Sequence, residues 1–200
     1  MKRDELIINI ALGLSIIGWG ILGIRQAFFE TYSTVRLFSA SLNVFLGCFI
    51  LFRKPVLKAG SFRSMLISLP SFVLGGLLFK MAHPFENWPL WLECTFVAGV
   101  IATTLSFSFL GRNFAIFPSL RAITTAGPYR LVRHPGYASE SIMITTCCLA
   151  NPTAFAILVL LAFFIWLYFR IEQEEQLLSQ SEAYTAYQAS VRWKLIPLIW

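Results

Sequence analysis

The feature that most constrains this chain is the recurrence of long apolar runs. Six can be marked, at about 6–24, 36–52, 64–82, 88–110, 136–150 and 153–169. A helix crossing a hydrocarbon layer of about 30 Å needs roughly 20 predominantly apolar residues, so runs of this length read as membrane helices. The breaks between them carry loop chemistry: Arg53-Lys54-Pro55, His83-Pro84 through Trp88-Pro89, and Asn151-Pro152. Proline removes a backbone donor and restricts its neighbour, which suits a turn. The expected fold is all-α: a polytopic membrane helical bundle of about six transmembrane segments, the last two a short helical hairpin.

Composition agrees. The 200 residues are 57% hydrophobic, 16% aromatic and 13% charged, too little polar surface for a soluble domain of this size. The net charge of +6 sits in short clusters between apolar segments, so topology explains it better than nucleic acid does. With a cytosolic N-terminus and six crossings, thirteen basic residues fall on one side: Lys2, Arg3, Arg53, Lys54, Lys58, Arg63, Arg112, Arg121, Arg130, Arg133, Arg170, Arg192 and Lys194. Only Arg25, Arg36 and Lys80 fall on the other. The positive-inside rule therefore predicts that both termini face the cytosol. The stretch after Met1-Lys2-Arg3-Asp4-Glu5 is too long for a signal-peptide core and reads as the first membrane helix. Cys48, Cys94, Cys147 and Cys148 lie in apolar runs without metal-ligand or disulfide spacing and read as small hydrophobes.

One loop differs from everything around it. Residues 111–137 contain Arg112, Arg121, Arg130, Arg133 and His134, punctuated by Pro118, Gly127-Pro128 and Pro135-Gly136. From the charges alone, a topological cluster and a functional loop account for it equally well. Read as one helix, residues 136–169 would extend about 50 Å, at 1.5 Å per residue. A bend at Asn151-Pro152 instead returns Arg170, Glu174 and Glu175 to the face of Arg133 and His134. Arg170 precedes Glu174 by four residues, a spacing that also permits a plain surface ion pair. His83, in the opposite loop, reads as an ordinary loop residue, and Lys80 and Glu93 as side chains reaching for the interface.

The stretch from Thr125 through Gly127-Pro128-Tyr129 to Arg133-His134-Pro135-Gly136-Tyr137 resembles the isoprenylcysteine carboxyl methyltransferase family. The break at Asn151-Pro152 and the run Arg170-Ile171-Glu172-Gln173-Glu174-Glu175, with Tyr184 and Tyr187 beyond, extend the likeness over about 110–197. Its wider relatives include phospholipid methyltransferases. Ser181-Glu182 departs from the pair expected before the tyrosines.

The resemblance implies an S-adenosylmethionine-dependent membrane methyltransferase that releases S-adenosylhomocysteine. Its acceptor is lipid-like or hydrophobic: a carboxylate as in the family, or a phospholipid amine or small thiol. By resemblance, His134, Tyr137 and the backbone about Pro135 and Gly136 hold the cofactor's amino-acid tail, and Arg133 is a further cofactor contact. Glu174 meets its ammonium or ribose, and Glu175 is a further cofactor contact. Arg121, Ala122, Ile123, Thr124 and Tyr129 line the adenosine end, Gly127 permits close backbone approach, and Arg170 orients the acceptor. Residues 111–200 form the cofactor-binding core and 1–110 the substrate entrance, with the cofactor site cytosolic. A non-catalytic lipid-binding or assembly subunit is the reading from another class. A transporter fits poorly, because the polar residues cluster in one loop instead of at mid-membrane.

Overall fold

A computed structural model describes residues 3–200, with side chains from Leu6 onward; Lys2 lies outside the described residues. Seven α-helices follow one another: α1 (Arg3–Phe29), α2 (Thr34–Phe52), α3 (Phe62–Met81), α4 (Leu90–Leu110), α5 (Pro135–Ala150), α6 (Ala154–Leu178) and α7 (Glu182–Ser190). The chain is an all-α polytopic bundle, as its hydropathy pattern predicts. Among the described residues, five helices are long and apolar enough to cross a membrane: α1, α2, α3, α4 and α6. The sixth apolar run makes only the 16-residue α5, about 24 Å at 1.5 Å per residue, which falls short of the hydrocarbon core.

Local chemistry sets the boundaries. Ser33, Ser61 and Thr153 cap α2, α3 and α6, each accepting an amide hydrogen bond from three residues on. The α5–α6 bend falls at Asn151-Pro152, and the Asn151 amide donates to the Met81 carbonyl at 2.8 Å, pinning the turn to the end of α3. The apolar run expected to stop at 169 continues as helix to Leu178. Arg170, Glu174 and Glu175 therefore project from one rigid element.

α1 lies close against α2, where a Cβ on Gly20 would come within 2.8 Å of the Ala40 carbonyl oxygen. Small residues are what allow helices to approach this closely in lipid. The main core joins α2 to α6 through Val35, Leu78, Phe85, Phe96, Ile144, Phe163, Leu167 and Ile171. The broad bands of exposed leucine, isoleucine and phenylalanine on α1, α3 and α6 suit a lipid surround.

At the end where α2 and α4 finish, the connecting loops are stitched together. The Lys54 amide donates to the Arg112 carbonyl at 2.8 Å, and Arg112 Nε donates to Phe52 at 2.8 Å. A two-residue antiparallel ladder pairs Lys58 with Leu120 and Ala59 with Ser119, and Arg121 donates to the Lys54 carbonyl. These bonds form a roof over the helix ends.

Asn151→Ala should lower stability by about 1 kcal/mol, since one amide hydrogen bond to a carbonyl with no replacement donor is lost. Thermal unfolding of the purified protein in detergent measures this, and an unchanged midpoint would show that the bend holds without it.

Candidate active site

A cavity of about 570 Å³ opens beneath that roof and runs down between the helices. One end is polar, with Arg121, Arg133, His134, Glu174, Tyr184 and Tyr187 on its wall. The other is apolar, lined by Leu12 and Ile16 of α1, Leu42 and Leu46 of α2, and Leu69 of α3. Arg170, Tyr137 and Glu140 stand between the two.

The polar end is built around Glu175. Arg133 grips its carboxylate with two parallel hydrogen bonds, Nε to Oε1 at 2.7 Å and Nη2 to Oε2 at 3.0 Å. The His134 ring nitrogen Nε2 lies 2.9 Å from Oε1, and Tyr184 Oη donates to the same oxygen at 3.2 Å. Gln188 donates from 3.3 Å and Lys194 Nζ lies 3.9 Å away. Arg133 is raised above its ordinary value: burial opposes its charge, and the Glu175 carboxylate outweighs that effect. Burial also pushes the Tyr187 phenol up to about 12 and the Tyr184 phenol higher still, so both remain protonated donors at neutral pH.

The loop itself is held from two sides. Arg133 Nη1 donates to the carbonyls of Val191 and Arg192, each at 2.9 Å, and the amides of Arg133 and His134 donate to Trp193 and Lys194 at 2.9 Å. Tyr187 Oη donates to the Tyr129 carbonyl at 2.6 Å. Gly127 adopts φ +59°, and a Cβ there would lie 2.5 Å from the Phe109 ring, so the turn admits glycine alone. His134 precedes α5, and Pro135 takes its first helical position, where proline's missing amide costs nothing. A Cβ on Gly136 would meet Phe107 at 2.8 Å, so this glycine lets the start of α5 settle against α4.

Glu174, next to Glu175 in sequence, faces the cavity, where Tyr137 Oη donates to its Oε2 at 2.5 Å. Arg170 is a buried cation. Its guanidinium lies 3.9 Å from the Phe72 ring centre and 4.5 Å from that of Tyr137. Nη1 donates to Ser71 Oγ and to Glu140 Oε2, each at 3.4 Å, and Nε has no hydrogen-bond partner. Among the described residues Arg170 thus forms its ion pair with Glu140 and not with Glu174, although its spacing from Glu174 permitted one.

Of the residues singled out in the sequence, the cavity wall gathers Arg121, Ala122, Ile123, Thr124, Tyr129, Arg133, His134, Gly136, Tyr137, Arg170 and Glu174. Gly127, Pro135 and Glu175 stand behind that wall. Glu172 bonds to Lys194 at the surface. His83 stacks on Phe85 with ring centres 3.8 Å apart and does not line the cavity. Glu140 escaped the sequence reading. The available signal was its position three residues after Tyr137, which puts both on one helical face.

Fold and site together define an integral membrane helical bundle enclosing a cavity that is polar at one end and apolar at the other. Residues 91–180 match the isoprenylcysteine carboxyl methyltransferase (ICMT) family. The match over this segment supports a membrane methyltransferase of the isoprenylcysteine carboxyl methyltransferase kind. A comparison with curated proteins finds no match.

Glu175→Gln should cost about 3 kcal/mol, because Arg133 and Glu175 are both nearly buried and removing one charge strands the other. Thermal unfolding and limited proteolysis between residues 180 and 200 provide the measurement. Wild-type behaviour in both would show that the cluster is not structural.

Proposed function

We propose that the polar end of the cavity binds S-adenosylmethionine from the cytosol and that the apolar arm receives the tail of a lipid-like methyl acceptor. The observation that carries this reading is the single cavity joining a doubly charged polar pocket to a hydrocarbon-lined arm. The cofactor is zwitterionic at its amino-acid tail, cationic at sulfur and apolar at adenine, so its pocket needs both signs of charge and a slot. Arg133 and Glu174 supply the charges, His134 a polar ring, and Ala122, Ile123 and Tyr129 apolar wall.

The first turn of α5 leaves amides without intrahelical partners, and Gly136 and Tyr137 border the cavity there. Those amides, at the positive end of the helix dipole, hold the cofactor's carboxylate. Glu174 takes its ammonium or ribose hydroxyls, with the Tyr137 phenol fixing the carboxylate that does so. Arg121, Thr124 and Tyr129 border the adenosine. Glu175 acts at one remove, fixing Arg133 and His134, and Gly127 and Pro135 shape the loop that carries them.

When bound, S-adenosylmethionine supplies a methyl group on an already activated leaving group. The chain's task is to align the acceptor with it in a dry site, and such orientation contributes several kcal/mol in favourable cases. Arg170, held between two rings, fixes the geometry at the junction. The apolar arm admits the acceptor's tail from the lipid, while the mouth beneath the loop roof admits the soluble cofactor. In this arrangement α1 to α3 provide much of the substrate entrance, and residues 111–200 provide most of the cofactor core. The basic residues gathered at the roof support a cytosolic position for this end and for both termini. The family's acceptor is a carboxylate; a phospholipid amine or a small thiol has the same access to the arm.

Titration calorimetry of the protein in detergent should show S-adenosylhomocysteine binding that falls at least tenfold in Glu174→Ala and in His134→Ala. Arg170→Ala should retain that binding and lose most turnover. Absence of binding to well-folded wild-type protein would overturn the cofactor reading. Full turnover in Arg170→Ala would remove Arg170 from the mechanism.

A further inference from the structure

The junction between the polar pocket and the apolar arm holds one ion pair, Arg170 with Glu140, and its two members are not equally accessible. The Arg170 side chain is 5% exposed and the Glu140 side chain 24%, with both on the cavity wall. The guanidinium is covered on its two faces by Phe72 and Tyr137, and its Nε is buried without a partner. The group that meets whatever enters the junction is therefore the carboxylate.

The surroundings reinforce that asymmetry. Facing Glu140 are Arg170 from α6, Tyr137 one turn back on its own helix, and Glu174 beyond the Tyr137 phenol. From α3, Ser71 shares the Arg170 nitrogen that Glu140 uses. The cavity residues of α3 and α4, which are Leu69, Phe72, Thr103, Phe107 and Leu110, bring no charge. Arg133 and His134 on the same wall are engaged by Glu175 and Arg121 by the Lys54 carbonyl, which leaves Arg170 as the cation in contact with Glu140. A carboxylate acceptor arriving here would add a third anion beside the one already exposed.

Resting on the cofactor reading above, we propose that the acceptor is an amphiphile whose head group is a protic nucleophile, an amine or a thiol, and that Glu140 is the catalytic residue that takes its proton. Glu140 removes a proton from the ammonium or thiol, freeing a lone pair on nitrogen or sulfur. That lone pair forms the new bond to the methyl carbon as the bond from carbon to the cofactor's sulfur breaks, its electron pair remaining on that sulfur. The proton leaves Glu140 through the polar mouth. Arg170 is the positioning residue, holding the carboxylate aimed into the cavity.

The test compares dodecylamine, decanethiol and dodecanoate, first by calorimetric binding without cofactor and then as acceptors with radiolabelled S-adenosylmethionine. The amine should bind at least tenfold more tightly than dodecanoate, and methyl transfer should go to the amine or the thiol. Glu140→Gln preserves shape and should keep S-adenosylhomocysteine affinity while lowering kcat by about a hundredfold, the scale of general base catalysis. It should also abolish the fall in kcat at acid pH, and Glu140→Asp should recover part of the rate. Tighter binding of dodecanoate, or its preferred methylation, would overturn the proposal, as would wild-type kcat and pH profile in Glu140→Gln. Failure of the wild type to bind S-adenosylhomocysteine would strike the cofactor reading instead, and the binding order of the three probes would still decide the charge preference of the junction.

Discussion

A carboxylate buried with an arginine must satisfy its charge and its lone pairs within the protein, because water no longer does so. Glu175 meets that demand by drawing together parts of the chain far apart in sequence: Arg133 and His134 before α5, Tyr184 and Gln188 on α7, and Lys194 beyond it. None of these segments has an apolar face large enough to fold alone. One acid on α6, itself anchored in the bundle by Leu167 and Ile171, ties them together, alongside the Tyr187 bond to Tyr129 and the backbone bonds to Trp193 and Lys194. The rigidity of the membrane core is thereby passed to a polar loop outside it.

The neighbouring acid is released by that arrangement. Successive residues on a helix point about 100° apart, so when Glu175 turns toward the loop, Glu174 turns toward the cavity and Tyr137. Each acid then has one task. A single carboxylate could not both clamp Arg133 in two hydrogen bonds and remain open to a ligand.

Much of this was legible in the chain. Apolar runs of sufficient length compel helices in lipid, because backbone groups there must be satisfied within the segment, and Asn151-Pro152 breaks any continuous helix. The loop motif was legible for the same reason: glycine, proline and histidine at Gly127, His134 and Pro135 each have a steric or chemical specialism. Other features depended on phase and depth. The end of α6 lay past the apolar run because residues 170–178 are polar yet helical. Glu174 and Glu175 are identical in type, and only the rotation of α6 assigns one to the fold and one to the cavity. Glu140 was hidden because its partner, Arg170, is thirty positions away and reaches it only through the bend.

The apolar arm was hidden most completely, and its origin bears on how such a protein diversifies. Leu12, Ile16, Leu42, Leu46 and Leu69 come from helices that precede the matched residues 91–180. The matched span carries α4, the loop, α5 and α6, and so nearly all the charged groups around the cavity. Any leucine on α1 or α2 faces lipid or cavity according to how those helices pack, and substitutions among them exchange one hydrocarbon shape for another at little cost. The charged end has no such freedom, since each group there completes a hydrogen-bond set. The shape of the acceptor's tail can therefore change while the polar machinery stays fixed. In the proposed reading, selection of the reacting head group falls instead to the junction, where Glu140 and Arg170 stand between the two.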